Sequence, residues 1–304
     1  MSISYIKYRD IDTGKWDKCI GLSFNASIYA FSWYLDILCE EWDALVEGNY
    51  LSVMPLLTRR IMGRNIIYTP DFIKELGIFS RKPVQAEKTE LFLNTIPSHF
   101  DYYQIILNKY NPLKTGRSIY TKRVHYNLDL IEPYYKLVRH FAPELRQKIN
   151  LAIARRLSFI KGLSPNDFIL FLQRHRIRLD RPVRDQNYRI LRSIVASLIR
   201  NNAGDLFGVY NEHNDLASVG LFAWINNRII LLFHAVDPEQ ERDQPHLYLI
   251  DRIIDKYSET NSTLSFHFSN KTLTPEIYTN FGAEEIRLNE VASGRMPFYL
   301  KPFM

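Results

Sequence analysis

Two histidines near the ends of predicted strands are well placed to accept a proton. His234 lies near the end of the apolar run 228–236, and His267 alternates with Phe266 and Phe268 in a second run. An imidazole titrates near neutral pH, so either ring could act as a general base. Either could instead be a hydrogen-bonded core residue, and for His267, on a central strand, that interpretation is favoured.

The stretch 228–283 predicts the elements that would position these side chains. An apolar run at 228–236, a polar connection that ends at His246, an amphipathic run to Tyr257 and a second apolar run at 263–269 read as strand, loop, helix and strand. Such a series is typical of a parallel βαβ unit that is buried on both faces. Ligands of these units bind where strand ends open toward helix N-termini, so this is the predicted ligand site.

Motifs for other common chemistries are missing from the sequence. It contains no Gly-rich phosphate loop, no G-x-S-x-G, no H-E-x-x-H and no C-x-x-C. The 8 histidines are scattered, and the 2 cysteines, Cys19 and Cys39, give neither a disulfide framework nor metal-ligand spacing. We therefore expect no metal cofactor.

The composition is that of an ordinary soluble protein. Of the 304 residues, 46% are hydrophobic and 24% are charged, and no apolar run approaches the roughly 20 residues that a membrane helix needs. The first ten residues lack the basic and then apolar pattern of a signal peptide. We therefore expect a cytoplasmic protein with no membrane span.

Positive charge is concentrated in the segment from Arg139 to Arg200. It holds 14 Lys or Arg against 4 Asp or Glu, a net +10, whereas the rest of the chain holds 25 against 29. Such a field could attract RNA or the phosphates of a small anion. The long side chains could equally solvate the exposed faces of two or three helices.

The N-terminal half predicts an α/β unit. Alternation around Ile3 and Tyr5 predicts an opening strand, and Asp12 or Thr13 can cap a short helix. The further predicted elements are a helix over 28–39, a hairpin of 42–46 with 50–58, a helix over 83–96, and strands at 102–107 and 118–130. Pro55 inside the hairpin predicts an edge position or a bulge.

The second half predicts basic helices followed by a meander. Helices are expected over 143–161, after the Ser164 cap, and over 185–201, the last closed by a left-handed Gly204. Three antiparallel strands at 206–210, 217–225 and 228–236 then lead into the βαβ unit.

Several segments of this chain resemble a known family. The order of elements and the closing Tyr278-x-x-Phe281-Gly282-Ala283 resemble the second half of a GNAT acyltransferase domain. The segments LSFHFSN at 264–270, IYTNFGAEE at 277–285, LGIFS at 76–80 and YNLDL at 126–130 resemble the tandem GNAT-like proteins related to Fem-type peptidyl transferases. The resemblance implies an α/β protein (an α+β mixed sheet) with two tandem GNAT-like domains, at 1–130 and 131–304.

The same resemblance implies roles for individual residues. Tyr278, four residues before Gly282, stands where the family has the tyrosine that protonates the departing thiolate. The family holds the pyrophosphate of coenzyme A at the turn before the βαβ helix. The implied cofactor-binding residues for acyl-CoA are Val236, Gln244, His246 and Asn270.

That turn also departs from the family pattern. Leu247 and Leu249 stand about where the family has glycines, Pro245 has no N–H, and Asp243 would repel a phosphate.

Three functions follow as expectations. The leading one is an N-acyltransferase that moves an acyl group from acyl-CoA to a small-molecule or peptide amine. The second is a Fem-type aminoacyl transferase whose donor is a charged tRNA bound through the Arg139–Arg200 segment. The third is a catalytically degenerate GNAT-like fold that binds a metabolite or partner.

Overall fold

The computed structural model describes residues 2–115, 121–175, 185–267 and 273–293. The chain divides into two compact units, one of Met1–Val124 with Arg287–Met304 and the other of His125–Ile286. The tandem GNAT-like domains at 1–130 and 131–304 stay a prediction.

The helices and strands follow one another along the chain in a mixed α/β order. The first are β1 (Ile3–Ile6), α1 (Thr13–Leu22), α2 (Ser32–Leu38), β2 (Trp42–Glu47), β3 (Ser52–Ile61), β4 (Arg64–Ile67), β5 (Phe79–Ser80), α3 (Ala86–Asn94), β6 (Tyr102–Ile106) and β7 (Thr121–Asp129). They are followed by α4 (Tyr134–His140), α5 (Pro143–Ala154), β8 (Ser158–Lys161), α6 (Pro165–Arg174), α7 (Asp185–Arg200), β9 (Gly204–Tyr210), β10 (Leu216–Ile225), β11 (Arg228–Val236), α8 (Pro245–Tyr257), β12 (Thr263–Phe266), α9 (Pro275–Asn280) and β13 (Glu284–Ala292). Within these elements, none of the described helices is long and apolar enough to cross a membrane.

The first unit is built on a mixed sheet. Strands β1, β2, β3 and β4 pair antiparallel in that order, β4 pairs parallel with β6, and residues 290–292 pair antiparallel with β6. The predicted opening strand is confirmed. So is the first helix, because the Asp12 carboxylate accepts a hydrogen bond from the backbone N–H of Lys15 at 3.0 Å.

The single helix predicted over 28–39 is wrong. A 3-10 turn at Ile28–Ala30 comes first, Phe31 is extended with a ψ of 142°, and α2 begins only at Ser32. The break is stabilised by Asp17, whose carboxylate accepts hydrogen bonds from the N–H and the hydroxyl of Ser32 at 2.7 Å each. A helix-start bond from a residue 15 positions away cannot be seen in a local apolar pattern.

Pro55 lies where β3 changes its second partner. It pairs with Ala44 of β2, while on the other side β5 pairs at residues 52–53 and β4 at 58–61. Strand β3 thus has partners on both sides, and Pro55 lies between the two stretches that pair on the second side, where a residue without an N–H is tolerated.

The second unit contains the predicted βαβ arrangement. Strands β8, β9, β10 and β11 pair antiparallel in that order. Strand β11 then pairs parallel with β12, which pairs antiparallel with β7. Helix α8 connects the parallel strands and packs with α4, α5 and α9 in one buried core, whose members include Leu145, Ile250 and Phe266.

The helix predicted over 143–161 is too long. It ends at Ala154, Arg156 takes a left-handed φ of 55°, and residues 158–161 form β8 at the edge of the sheet. Pairing with β9 satisfies backbone groups that a longer helix would have satisfied internally, so tertiary structure overrides the helical pattern.

The cap after α7 is at another residue than predicted. Asn202, with a φ of 51°, takes the left-handed conformation that was assigned to Gly204. Asparagine tolerates this conformation better than most residues. Gly204 is instead the first residue of β9, where a Cβ would lie 2.7 Å from the carbonyl oxygen of Phe222, so close packing is what requires a glycine there.

Strand β13 was not predicted. Its sequence is rich in charged residues, and Glu290 is only 1% exposed. The buried carboxylate is paired with Arg123 Nε at 2.9 Å and accepts a hydrogen bond from Gln104. These partners are more than 160 residues away in sequence, so the local pattern gives no sign of a buried strand.

Candidate functional site

A bulge in β11 decides which way His234 faces. Phe222 pairs with Leu231 whereas Leu221 pairs with Phe233, which leaves Leu232 as an extra residue. A bulge shifts the alternation of a strand, so His234 shares a face with Leu231, on the side of α8. The ring of His234 accordingly lies 6.1 Å from the ring of His246 in α8.

Gly220 faces this histidine at a point where α8 packs closely on the sheet. It lies directly opposite His234 in the β10–β11 ladder, so a side chain there would share the same face. A Cβ at this position would come within 2.8 Å of the Phe222 ring and 3.1 Å of Leu249 in α8. The close packing of α8 against this part of β10 therefore depends on a glycine.

The parallel pairing of β11 with β12 is described over the first part of β11. It runs from Arg228 opposite Thr263 to Leu231 opposite Phe266, while β11 continues to Val236. His234 therefore lies beyond the described pairing with β12.

His234 is completely buried, with 0% of its surface exposed. Its Nε2 lies 2.9 Å from the hydroxyl of Ser218, and its Nδ1 has no hydrogen-bond partner in the described part of the chain. Burial, with a contribution from His246, holds the pKa of His234 well below its ordinary value. The ring is therefore neutral at physiological pH.

Helix α8 begins in a way that offers few donors to an anion. Gln244 precedes it with a left-handed φ of 57°, and its side chain does not cap the helix but donates to the carbonyl of Arg242 at 3.2 Å. Pro245 has no N–H, and the N–H of Leu247 is used by the Gln244 carbonyl at 3.1 Å. The N–H of His246 is the remaining candidate donor in the first three helical positions.

His246 is a second buried neutral ring. It is 4% exposed, and its Nδ1 also lacks a partner among the described residues. Burial, and to a smaller extent Lys148, lowers its pKa from 6.5 to about 4. Two neighbouring imidazoles thus each keep one nitrogen without a hydrogen bond, which is rare for buried polar atoms.

These two rings make the folded state sensitive to acid. In the unfolded chain both return to the ordinary pKa of 6.5, so as the pH falls the unfolded chain binds protons that the folded chain does not. The free energy of unfolding should be constant above that value. Between 6.5 and about 4 it should fall by up to about 1.4 kcal/mol per pH unit for each histidine.

Denaturant unfolding between about pH 8 and pH 4 measures this dependence. The double variant His234→Leu/His246→Leu should lose most of it, and carboxylates that protonate below about pH 5 contribute equally to both proteins. A double variant with the slope of the wild type would show that these rings are not buried and neutral.

The acidic residue before α8 is already paired. Asp243 Oδ1 lies 3.0 Å from Nε of Arg155, which follows α5. Asp237, at the end of β11, accepts hydrogen bonds from Glu239 N at 3.0 Å and Gln240 Nε2 at 2.7 Å, and His175 Nδ1 lies 3.2 Å away. Pairing with Arg155 therefore reduces the repulsion that Asp243 is expected to exert on a phosphate.

Tyr278 lies in the same buried core as α8. It is 1% exposed and stacks on Phe266 with ring centres 4.3 Å apart, and Tyr126 lies at 5.7 Å. Burial raises the pKa of its hydroxyl, so the group keeps its proton at neutral pH. Gly282 follows with a φ of 83° and closes the turn after α9.

His267 lies apart from the other two candidates for proton transfer. It follows Phe266 in sequence, and successive strand residues face opposite sides, so it faces away from Tyr278. Its ring stacks on His125 with centres 3.9 Å apart, and Arg228 Nη2 lies 3.4 Å from its Nε2. The structure therefore brings His234 and His246 together and separates His267 from them.

The structure describes three of the four residues that are predicted to bind a cofactor. Val236 is 4% exposed at the end of β11, and Gln244 and His246 lie together at the start of α8. Asn270 lies outside the described residues. These positions do not test whether a cofactor binds there.

The sequence did not indicate two polar contacts next to this site. Ser218 reaches His234 only through the β10–β11 register, and a lone serine in an apolar strand gives no signal. In α8, Asp251 is 0% exposed and accepts hydrogen bonds from the Tyr134 hydroxyl at 2.6 Å and from Arg252 Nε at 3.0 Å. A single acidic residue in an amphipathic run gives no sign that it is buried.

The basic segment lies on the surface where it is described. Its described Lys and Arg side chains are all exposed to solvent: Arg139, Arg146, Lys148, Arg155, Arg156, Lys161, Arg174, Arg189, Arg192 and Arg200. Two of them have acidic partners, Arg155 with Asp243 and Lys161 with Asp205 at 3.6 Å. Four further arginines of the segment lie at 176–184, outside the described residues.

Metal chemistry has no support in these ranges. Among the described residues, no three His, Cys, Asp or Glu side chains come together as ligands.

Comparisons with known proteins define the fold. No protein-family model matches the chain, and no curated protein matches it. Among solved structures, FemX superposes with a TM-score of 0.66 at 12% identity over 95% of this chain and 97% of FemX. A conserved protein of unknown function from Bacteroides thetaiotaomicron gives a TM-score of 0.59 at 9% identity, over 93% of this chain and 99% of that one.

A third neighbour carries a functional name. The C-terminal domain of a protein described as a lysylphosphatidylglycerol synthetase, from Agrobacterium fabrum, gives a TM-score of 0.56 at 8% identity over 93% of this chain and 91% of that domain. Identities this low establish the fold and no shared substrate.

Proposed function

We propose, from the GNAT-like, Fem-type fold that this chain shares with FemX, that the protein transfers an activated acyl group to an amine. The observation that carries the proposal is the buried neutral His234, whose Nδ1 has no hydrogen-bond partner in the described part of the chain. A neutral imidazole can accept the proton that an attacking amine loses.

The proton route uses two residues on the α8 side of the sheet. As the lone pair of the amine forms the new C–N bond, the nitrogen becomes positively charged and gives a proton to the neutral His234. The C–S or C–O bond of the donor breaks, and Tyr278, which burial keeps protonated, supplies a proton to the leaving group. His267 faces the other side and has no part in this step.

The first turn of α8 and the basic Arg139–Arg200 segment favour an aminoacyl ester of tRNA as the donor. The first turn of α8 lacks the glycines and the N–H groups that would hold a pyrophosphate, since Pro245 and the Gln244 carbonyl remove two donors. The exposed basic side chains of the Arg139–Arg200 segment can bind a polyanion outside this turn.

Acyl-CoA is the second candidate donor. Pairing with Arg155 reduces the repulsion that Asp243 would exert on the phosphates of the coenzyme. In that case Val236, Gln244, His246 and Asn270 would contact the coenzyme.

Thermal unfolding distinguishes the donors. A ligand that binds only the folded state adds about 2.7 kcal/mol of stability at a hundredfold excess over its dissociation constant. We expect aminoacyl-tRNA to raise the midpoint at low salt, and the shift to fade as salt rises because phosphate contacts release counterions. A shift with acetyl-CoA that Gln244→Ala and His246→Ala remove would favour the coenzyme.

Arginine substitutions provide a matched control. Replacing Arg189 and Arg192 on the exposed face of α7 by glutamine should weaken the tRNA shift and its salt dependence and leave any acetyl-CoA shift unchanged. Binding of a donor without any transfer would support the degenerate binding fold instead.

A further inference from the structure

The hydrogen bonds of Ser218 determine which nitrogen of His234 carries the proton. The hydroxyl oxygen of Ser218 lies 3.0 Å from the carbonyl oxygen of Ala235 and 2.9 Å from Nε2 of His234. A carbonyl can only accept, so the single hydroxyl proton lies between Ser218 and Ala235. The serine oxygen must then accept a hydrogen bond from the histidine, which requires a proton on Nε2.

A neutral imidazole carries one proton, so the other nitrogen is bare. Nδ1 of His234 is therefore a hydrogen-bond acceptor, and it is the atom without a partner in the described part of the chain. The whole side chain is 0% exposed, and a buried polar atom left without a partner costs about 1–3 kcal/mol. An atom in this state is suited to a ligand that brings an N–H group.

We propose that Ser218 is a positioning residue that holds His234 in the Nε2–H form, so that Nδ1 accepts the N–H of the acceptor amine. This inference rests on the proposed acyl transfer and names the atom that receives the proton. When the C–N bond forms, the proton passes from the amine nitrogen to Nδ1, and Nε2 keeps its hydrogen bond to Ser218. The imidazolium must lose this proton before the next turnover.

His246 fits this account as the neighbouring ring. Its Nδ1 is also buried and without a partner among the described residues, and its ring centre lies 6.1 Å from that of His234. Its low pKa keeps it uncharged. A neutral amine can therefore approach His234 without repulsion from a neighbouring imidazolium.

The ¹⁵N spectrum of the histidine-labelled protein tests the assignment directly. Protonated and bare ring nitrogens resonate in separate regions, and the His234 signals are identified by their loss in His234→Leu. We expect Nε2–H with a bare Nδ1 in the wild type, and a mixture of the two tautomers in Ser218→Ala. Titration with methylamine should shift the Nδ1 resonance of the wild type.

A matched control separates positioning from loss of a buried hydroxyl. Ser265 on β12 is also 0% exposed, and its hydroxyl has no partner among the described residues. Ser265→Ala should leave the tautomer of His234 and the methylamine response unchanged. Ser218→Thr keeps a hydroxyl and should restore the Nε2–H form if Ser218→Ala changes it.

Three outcomes would overturn the inference: a proton on Nδ1 in the wild type, an unchanged tautomer in a folded Ser218→Ala, or no response of Nδ1 to methylamine. Failure of the proposed function is recognised separately. The tautomer and the methylamine response would then be as expected, while no acyl donor supports transfer to an amine.

Discussion

Replacing His234 by leucine should lower the rate of acyl transfer to an amine by at least about 100-fold, since positioned proton transfer contributes about 10²- to 10⁴-fold. The loss should appear in kcat, with little change in the KM of the donor, because the proton moves only as the bond forms. Initial rates with the preferred donor at saturating amine measure the effect.

The same substitution should not weaken the fold. Leucine is close to histidine in size, and it removes a buried Nδ1 that has no partner among the described residues. The free energy of unfolding should be unchanged or higher, by up to about 2 kcal/mol. A variant that loses activity but keeps its stability indicates that the original side chain serves function and not folding.

His213 serves as the control for this substitution. Its side chain is 75% exposed, in the loop before β10. His213→Gln should keep the rate of the wild type. A His234→Leu enzyme whose rate stays within about twofold of the wild type would remove the proposed role of His234.

Replacing Asp251 by alanine should destabilise the protein by about 3 kcal/mol, because the Tyr134 hydroxyl and the Arg252 guanidinium would lose the buried carboxylate to which both donate. The Asp251 side chain is 0% exposed, and it binds Tyr134 of α4 and the neighbouring Arg252. Its loss would remove the hydrogen bond between Tyr134 of α4 and Asp251 of α8. Denaturant unfolding monitored by circular dichroism measures the change.

Asp255 is a matched control on the same helix. It pairs with the same arginine, with Arg252 Nη1 3.1 Å away, but its side chain is 42% exposed. Exposed pairs contribute less than about 1 kcal/mol, so Asp255→Ala should have a small effect. Equal losses for the two variants would show that burial of Asp251 does not determine its contribution.

The sequence was most informative where a pattern was strong and local. The predicted strand at 228–236 has the bounds of β11, and the predicted helix ends at Tyr257 as α8 does, because turn residues flank long apolar patterns there. The helix begins earlier than predicted, since Pro245 and His246 belong to α8 and not to the connection before it. The parallel pairing of β11 with β12 followed from the helix between them. The resemblance to GNAT-like, Fem-type proteins is confirmed for the fold.

Contacts that depend on register could not be predicted. The orientation of His234 requires the extra residue Leu232, and the bond to Ser218 requires a particular alignment of β10 with β11. A single shift of register would turn either side chain to the other face. For the same reason the sequence could not separate His267 from His234.

The bounds or the existence of several elements could not be predicted, because their partners lie far away in the sequence. The end of α5 is set by pairing of residues 158–161 with β9, and the buried Glu290 of β13 is compensated by Arg123. Such pairs couple residues that are far apart in the chain, whereas helix and strand patterns are read over a few residues.

The most direct measurement is a single-turnover assay with purified protein in excess over a labelled donor. Aminoacyl-tRNA and acetyl-CoA are offered separately, each with a mixture of primary amines, and the products are identified by mass. We expect a new amide from at least one donor, formed by the wild type and by Ser265→Ala and lost in His234→Leu. Amide formed equally well by His234→Leu, or none from either donor, would contradict acyl transfer at the end of β11.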